Sequence, residues 1–287
     1  MPKRCIKLAR MHINCKGKLI DLSTPKVMGI LNVTPDSFFD GGKYKDESQL
    51  LNQAEIMLSQ GATFIDVGAY SSKPNAEFVT EDEELQRAVP VVELLLKHFP
   101  EAIISVDTFR AKVAAACIES GASVINDIAA GLLDDDMIAT VGKYKVPYVM
   151  MHMRGTPQTM TTLTHYEDIV GEMLKYFAER INTARAHGID DVIIDPGFGF
   201  AKTLEQNYEV MNKMELFSTI TGLPLLSGIS RKSMIYKLLG TTPQEALNGT
   251  TVLNTISLVK GAKILRVHDV NEAMETVTIF NATGLMY

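Results

Sequence analysis

The sequence predicts an α/β fold, a closed (β/α)8 TIM barrel preceded by a short β-hairpin, and three observations predict it. Eight short apolar runs recur along the chain. From residue 26 onward each is followed by a loop and then by helix-periodic sequence. Nearly every run ends on a polar residue that a buried strand does not need, as when chemistry is assembled where parallel strands terminate. Repeated βα units imply a parallel sheet, and a count near eight favours a closed barrel over an open doubly wound sheet.

The elements follow in order. Residues 5 to 22 alternate as a hairpin turning at Asn14-Cys-Lys-Gly17, and the segment 1–25 is expected to close the barrel's lower end. The apolar runs and their polar tips are then Lys26 to Leu31 into Asn32, Phe64-Ile65 into Asp66, Ile103 to Val106 into Asp107, and Ser123 to Ile125 into Asn126. Next come Tyr148 to Met151 into His152, Val192 to Ile194 into Asp195, Leu225-Leu226 into Ser230-Arg231-Lys232, and Lys263 to Leu265 into Arg266 and His268. Between them the 3.6-residue period predicts helices that include Ser48 to Gln60, Glu81 to His98, Ala111 to Ser120 and Tyr166 to His187. Several stop at a glycine before the next strand, Gly61, Gly121, Gly188 and Gly261, as a left-handed C-terminal position requires. Two long polar loops, roughly 33 to 47 and 69 to 80, follow the first two strands and are natural lids.

The 287 residues read as a single barrel domain over 1–287, with a core of ample size. Hydrophobic residues make up 46% and charged residues 22%, the composition of an ordinary globule with no disordered region. A net charge of −6 argues against affinity built on a basic face, so no nucleic-acid partner is expected. Cys5, Cys15 and Cys117 are too few and too scattered for a disulfide framework or a zinc site. No apolar stretch is long enough to span a bilayer, so a cytoplasmic protein with no membrane partner is expected.

Asp66, Asp107 and Asp195, with the amides Asn32 and Asn126, gather at strand ends. A single Asp there is more often a cap or turn former, but five such groups suit a heterocycle edge, because an ionised carboxylate accepts two parallel N–H bonds. They suit a metal equally, and Asn32 with a neighbouring Asp is a hard-oxygen set for Mg2+. Among the basic groups Lys202, Arg231, Lys232, Arg266 and His268, solvated charge is the default, and for Lys202 that reading and a site role stand level. Arg266 and His268 differ, since strand alternation puts both on one side, where they suit a phosphate-bearing ligand. Ser230-Arg231-Lys232 reads either as a strand entering an anion-favouring helix N-terminus or as a Ser230 cap with incidental charges. The glycines of Asp195-Pro-Gly-Phe-Gly-Phe200 allow close ligand approach but do not have dinucleotide spacing. Met150 and Met151 read as core packing and His152 as a satisfied histidine.

At Met28 to Phe38, followed by Asp40-Gly41-Gly42, the chain closely resembles the dihydropteroate synthases of the pterin-binding barrel family. The likeness continues in the family's order through Asp66-Val67-Gly68, Ser105 to Thr108, Ile125 to Asp127, Met151 to Gly155, Asp195 to Gly199, Ser230 to Lys232 and Arg266 to Asp269. The resemblance implies condensation of 6-hydroxymethyl-7,8-dihydropterin diphosphate with p-aminobenzoate, giving 7,8-dihydropteroate and diphosphate in folate synthesis, by a homodimer. It places the pterin edge on Asp195, with Asn126 and Asp107 around the ring, Lys232 donating to it and Arg266 over its face. It places Mg2+ on Asn32, and the diphosphate against Asn32, Ser72, Arg266 and His268. Phe38, Lys73, Pro74, Phe200 and Ser230 would frame p-aminobenzoate, and Asp40 would join Asn32, Lys232, Arg266 and His268 as catalytic.

One stretch departs from the pattern. Ser71-Ser-Lys-Pro-Asn75 stands where Ser-Thr-Arg-Pro-Gly is common, and Tyr70 replaces a Glu. Lys73 keeps the charge but loses the planar bidentate fork of Arg. A corrinoid-linked methyltransferase would share the pterin shelf but has no use for a diphosphate site at Arg266 and His268. A pterin-binding homologue without catalysis is the other alternative.

Overall fold

A short apolar run shielded on both faces packs most stably as a parallel strand, covered outside by helices and inside by its fellows. In the computed structural model, which describes residues 11–33, 43–70 and 79–285, all eight runs do so. The chain begins with the antiparallel hairpin β1 (His12–Cys15) and β2 (Lys18–Asp21). The barrel strands are β3 (Lys26–Asn32), β4 (Phe64–Gly68), β5 (Ile103–Asp107), β6 (Val124–Asp127), β7 (Tyr148–Met151), β8 (Val192–Asp195), β9 (Leu225–Ser227) and β10 (Ala262–Val267). They close in the order β10-β3-β4-β5-β6-β7-β8-β9. Around them lie α1 (Lys43–Ser59), α2 (Glu81–His98), α3 (Ala111–Glu119), α4 (Met137–Tyr144), α5 (Ile169–Ala186), α6 (Leu204–Asn212), α7 (Glu215–Thr221), α8 (Ser233–Leu239), α9 (Leu247–Val259) and α10 (Val270–Thr283). No described helix is long and apolar enough to cross a membrane.

Three boundaries differ from the sequence reading, each for a local reason. Helix α1 starts at Lys43, inside the loop expected over 33 to 47, because the stretch Lys43 to Gln49 is helical although it offers almost no apolar period to read. Helix α5 starts at Ile169 instead of Tyr166, since the Asp168 side chain caps it by accepting from the Gly171 N–H at 3.1 Å. Asp66 is not a tip; it sits in the middle of β4, fully buried. By contrast α2 spans the predicted residues, held at its start by a reciprocal capping box between Thr80 and Glu83. Phe38, Asp40, Ser72, Lys73 and Pro74 lie outside the described residues, as do most of the two expected lid loops.

Side-chain alternation sorts the barrel interior into layers. The lowest is an apolar ring with one residue from every barrel strand: Met28, Phe64, Ile103, Val124, Val149, Ile193, Leu226 and Ile264. Ile13, Cys15, Ile20 and Leu22 from the hairpin segment pack against that ring, so the N-terminal ends of the strands are covered. Two residues further along, the same inward face turns polar on five of the eight strands, while Ile30 on β3 and Met151 on β7 keep it apolar. Asp66, Ser105, Asn126, Asp195 and Arg266 occupy it. A further step of two brings Asn32, Gly68, Asp107 and His268 to the C-terminal mouth. Outside the strands a second, larger apolar layer joins barrel to helices, with Ile65, Val67, Ile104, Val106, Phe177 and Phe217 fully enclosed.

Candidate active site

Four strands that the chain visits far apart contribute to one charged cluster. Arg266 on β10 donates from Nε to Asp66 Oδ2 at 2.6 Å and from Nη2 to Asp107 Oδ2 at 2.7 Å. Asn126 on β6 donates from Nδ2 to the same Asp66 oxygen at 3.0 Å. The two carboxylates crowd each other, and burial raises the Asp107 carboxyl to about 7, against the pull of Arg266 and with the push of Asp66. Burial disfavours the Arg266 charge, but Asp66 and Asp107 more than restore it.

Asp195 closes the other side. Its Oδ1 accepts the Gly197 N–H at 2.7 Å, and burial raises its carboxyl while Lys232 pulls it down. Lys232 lies across from it, donating from Nζ to the Phe198 carbonyl and standing 4.7 Å from the Phe200 ring centre. Burial lowers that ammonium to about 8, and Asp195 opposes the shift. Asn32 and His268 are exposed at the mouth. The Ser230 oxygen accepts the His268 backbone N–H at 3.2 Å and lies 3.0 Å from the ring Nδ1. With the hydroxyl proton turned toward Nδ1, a neutral His268 keeps its own proton on Nε2. Gly68 lies between two site residues, where a Cβ would stand 3.4 Å from Asn32 Oδ1 and 3.9 Å from Asp107 Cβ, in ordinary contact with both.

The structure therefore brings together Asn32, Asp107, Asn126, Asp195, Phe200, Ser230, Lys232, Arg266 and His268 at the C-terminal ends of the strands. It also reassigns four residues. Arg231 turns away, gripping Asp269 with Nε at 2.9 Å and Nη2 at 2.8 Å while Nη1 donates to the Pro243 and Gln244 carbonyls. Ser230 is not the helix cap; the N-cap of α8 is Lys232, without a side-chain cap bond. Lys202 is not solvated charge but buried, donating from Nζ to the Gly197 carbonyl at 2.9 Å and the Phe200 carbonyl at 3.1 Å, with His152 Nδ1 at 3.1 Å. Asp66, read as a tip, anchors Arg266 and Asn126 from below.

The loop from Asp195 to Lys202 owes its path to these contacts. Gly197 has φ +67°, and a Cβ there would lie 2.2 Å from the His152 carbonyl oxygen, so no other residue fits. The loop presents Phe200 to the mouth and the Phe198 carbonyl to Lys232. A buried amine with three acceptors leaves no mark in composition or periodicity, which is why Lys202 stayed ambiguous in the sequence.

Chemically, the mouth combines carboxylates that accept N–H bonds, an amide that can accept and donate, a flat guanidinium, and outward polar groups suited to an anion. Among the described residues no group of three or more His, Cys, Asp or Glu side chains could hold a metal ion.

Residues 28–268 match the family model described as pterin binding enzyme. The chain is 42% identical to the dihydropteroate synthase of Escherichia coli strain K12 over 275 residues, covering 95% of this chain and 96% of that one. Its fold is similar to that of the Yersinia pestis dihydropteroate synthase in complex with a sulfonamide drug, with TM-score 0.89, 42% identity and coverage of 96% and 99%. It is also similar to the Xanthomonas albilineans dihydropteroate synthase with 4-aminobenzoic acid, with TM-score 0.88, 35% identity and the same coverage.

Proposed function

The chain belongs to the pterin-binding enzyme family, and from that premise we infer that its barrel mouth is the active site of a dihydropteroate synthase, a transferase of folate biosynthesis. It condenses 6-hydroxymethyl-7,8-dihydropterin diphosphate with p-aminobenzoate, forming 7,8-dihydropteroate and diphosphate. The observation that carries the reading is the convergence of Asp107, Asn126, Asp195 and Arg266 from four strands with Lys232 from the start of α8, at the opposite end from the apolar ring.

We assign the pterin's amino-pyrimidinone edge to Asp195, whose ionised carboxyl accepts two N–H bonds, with Asn126 and Asp107 beside the ring. Lys232 donates to the ring's oxygen and nitrogen, and Arg266 covers its face. Heterolysis of the exocyclic C–O bond sends the electron pair to diphosphate and leaves a cation-like pterin methylene, which the surrounding carboxylates favour. The arylamine lone pair forms the new C–N bond, and the proton released from nitrogen leaves with solvent or diphosphate. The amine is already nucleophilic, so no activated Ser or Cys is required. Phe200 and Ser230, with Phe38, Lys73 and Pro74, frame p-aminobenzoate.

Asn32, His268, Arg266 and Ser72 are assigned to the diphosphate. Asn32 offers one exposed neutral oxygen, and the described residues contain no multidentate acidic set. That fits Mg2+ arriving on the substrate phosphates, with Asn32 adding a ligand, better than a resident metal. When bound, the ion would neutralise charge on the leaving diphosphate. Asp40 completes the catalytic assignment.

The same reading extends to the molecule as a whole: one pterin-binding unit over 1–287, cytoplasmic, and working as a homodimer. Buried unpaired thiols at Cys15 and Cys117 support a reducing compartment. Exposed Val252, Ile256, Ile279 and Leu285 on and beside α9 and α10 support self-association through that face. The function is tested by incubating the protein with pterin diphosphate, p-aminobenzoate and Mg2+. Dihydropteroate and diphosphate should form together, and diphosphate release coupled to product should vanish when p-aminobenzoate is omitted.

A further inference from the structure

Asp66 lies a layer below the mouth with its side chain fully buried, yet both groups bonded to it are groups assigned to the substrate. We propose that Asp66 is a positioning residue for the reaction: through a single carboxylate oxygen it fixes the plane of the Arg266 guanidinium and the orientation of the Asn126 amide. The proposal rests on the active-site reading above and deepens it.

The geometry supports each half. Arg266 is tied at Nε to Asp66 Oδ2, 2.6 Å away, and at Nη2 to Asp107 Oδ2, 2.7 Å away, so two edges of a planar group are pinned by carboxylates from two strands. Three nitrogens lie in one plane, and two fixed points on it remove the freedom to tilt that a lone arginine retains. Loss of the Asp66 bond would leave Nη2 as a pivot. For Asn126, a carboxylate accepts and cannot donate, so the amide must turn Nδ2 toward Asp66. Its carbonyl oxygen is then the end left to meet a ligand. That end of the position consequently suits an N–H on the heterocycle.

A purely structural role explains the residue less well. Asp66 Oδ1 is buried with no hydrogen-bond partner among the described residues. A buried carboxylate with an unsatisfied oxygen costs stability, and an apolar or amide side chain at the centre of a strand would cost less. The charge is retained where it orders two ligand-facing groups.

The test is a double-mutant cycle with Asp66→Asn, Arg266→Lys and the pair, measuring kcat and KM for pterin diphosphate and the thermal unfolding midpoint of each protein. Lysine cannot be planar, so an effect transmitted through the guanidinium has nothing to act on in that background. Asp66→Asn should lower kcat/KM by about tenfold or more in the wild-type background, and by less than about threefold beside Arg266→Lys. Equal losses in the wild-type and Arg266→Lys backgrounds that also persist undiminished beside Asn126→Ala, accompanied by a lowered midpoint, would mean a structural ion pair and overturn the proposal. Should Asp66→Asn not fold, Asp66→Ser is smaller, keeps an acceptor and enters the same cycle. Wild-type turnover by itself decides the assigned reaction, whereas the cycle decides the role of Asp66.

Discussion

Lys202 Nζ lies 3.1 Å from His152 Nδ1, and both side chains are buried. The ammonium spends its three N–H bonds on His152 and on the carbonyls of Gly197 and Phe200. Accepting at Nδ1 places the ring proton on Nε2, and burial together with the nearby Lys202 charge holds His152 neutral, well below the usual range.

Burial also lowers Lys202 from 10.5 to about 7. Between those values the unfolded chain binds more protons at this position than the folded one, so its contribution to stability rises with pH across that window. The unfolding free energy of wild type relative to Lys202→Met should therefore increase between pH 7 and pH 9 in chemical denaturation. A difference that stays flat would place the charge in solvent.

Asp107 is displaced in the opposite sense, to about 7. Its protonated form offers one O–H where the ionised form accepts N–H bonds. We expect kcat/KM for the pterin substrate to fall as pH drops below about 7, with an apparent pKa belonging to the Asp66–Asp107–Arg266 cluster as a whole. Asp107→Asn should abolish that limb of the pH–rate profile. In stability terms the raised carboxyl binds a proton on folding, so its contribution is fully present below 3.8 and is lost as pH rises through 7.

Arg266→Ala removes the partner of two carboxylates and the group assigned above to the pterin face. It should lower kcat/KM on the order of 10²-fold or more. It should also destabilise the fold by about 3 kcal/mol, because Asp66 and Asp107 lose their counter-charge. Lys73→Arg, which restores the family's usual residue, should change kcat/KM far less. Similar losses from the two substitutions would contradict the roles given to them.

Arg231 provides a contrast within two residues of Ser230 and Lys232. Its fork is occupied by Asp269 and by two carbonyls. Arg231→Lys should lower stability by about 1–3 kcal/mol through loss of the bidentate pair, while kcat stays within about twofold of wild type. Denaturant midpoints and steady-state rates on one preparation check both halves.

Much of this was legible in the sequence because buried parallel strands are written as apolar runs. All eight are strands, and the hairpin turn at Asn14 to Gly17 lies where the pattern put it. Asp107, Asn126 and Asp195 were legible as polar tips closing apolar runs, and Arg266 as inward-facing through strand alternation, and all four do stand at the barrel mouth. What escaped is set by three-dimensional partners. Asp66 ended an apolar run in sequence, yet β4 continues to Gly68, and it takes Arg266, 200 residues away, with Asn126 beside it, to make a carboxylate tolerable there. Arg231 and Lys232 are adjacent cations of opposite fate, separated by a left-handed backbone at Arg231, φ +54°, that no composition rule announces. The first turn of α1 was invisible because periodicity needs an apolar beat, and between Lys43 and Gln49 only Tyr44 could supply one.

The hairpin beneath the barrel has a kinetic meaning beyond packing. With Ile13, Cys15, Ile20 and Leu22 set against the lowest apolar ring, the interior is a cup and not a passage. On the assignment proposed above, a cup imposes a queue: the ligand given to Asp195 and Asn126 would have to be seated before the one given to Phe200 and Ser230, and the joined product would leave by the rim through which both entered.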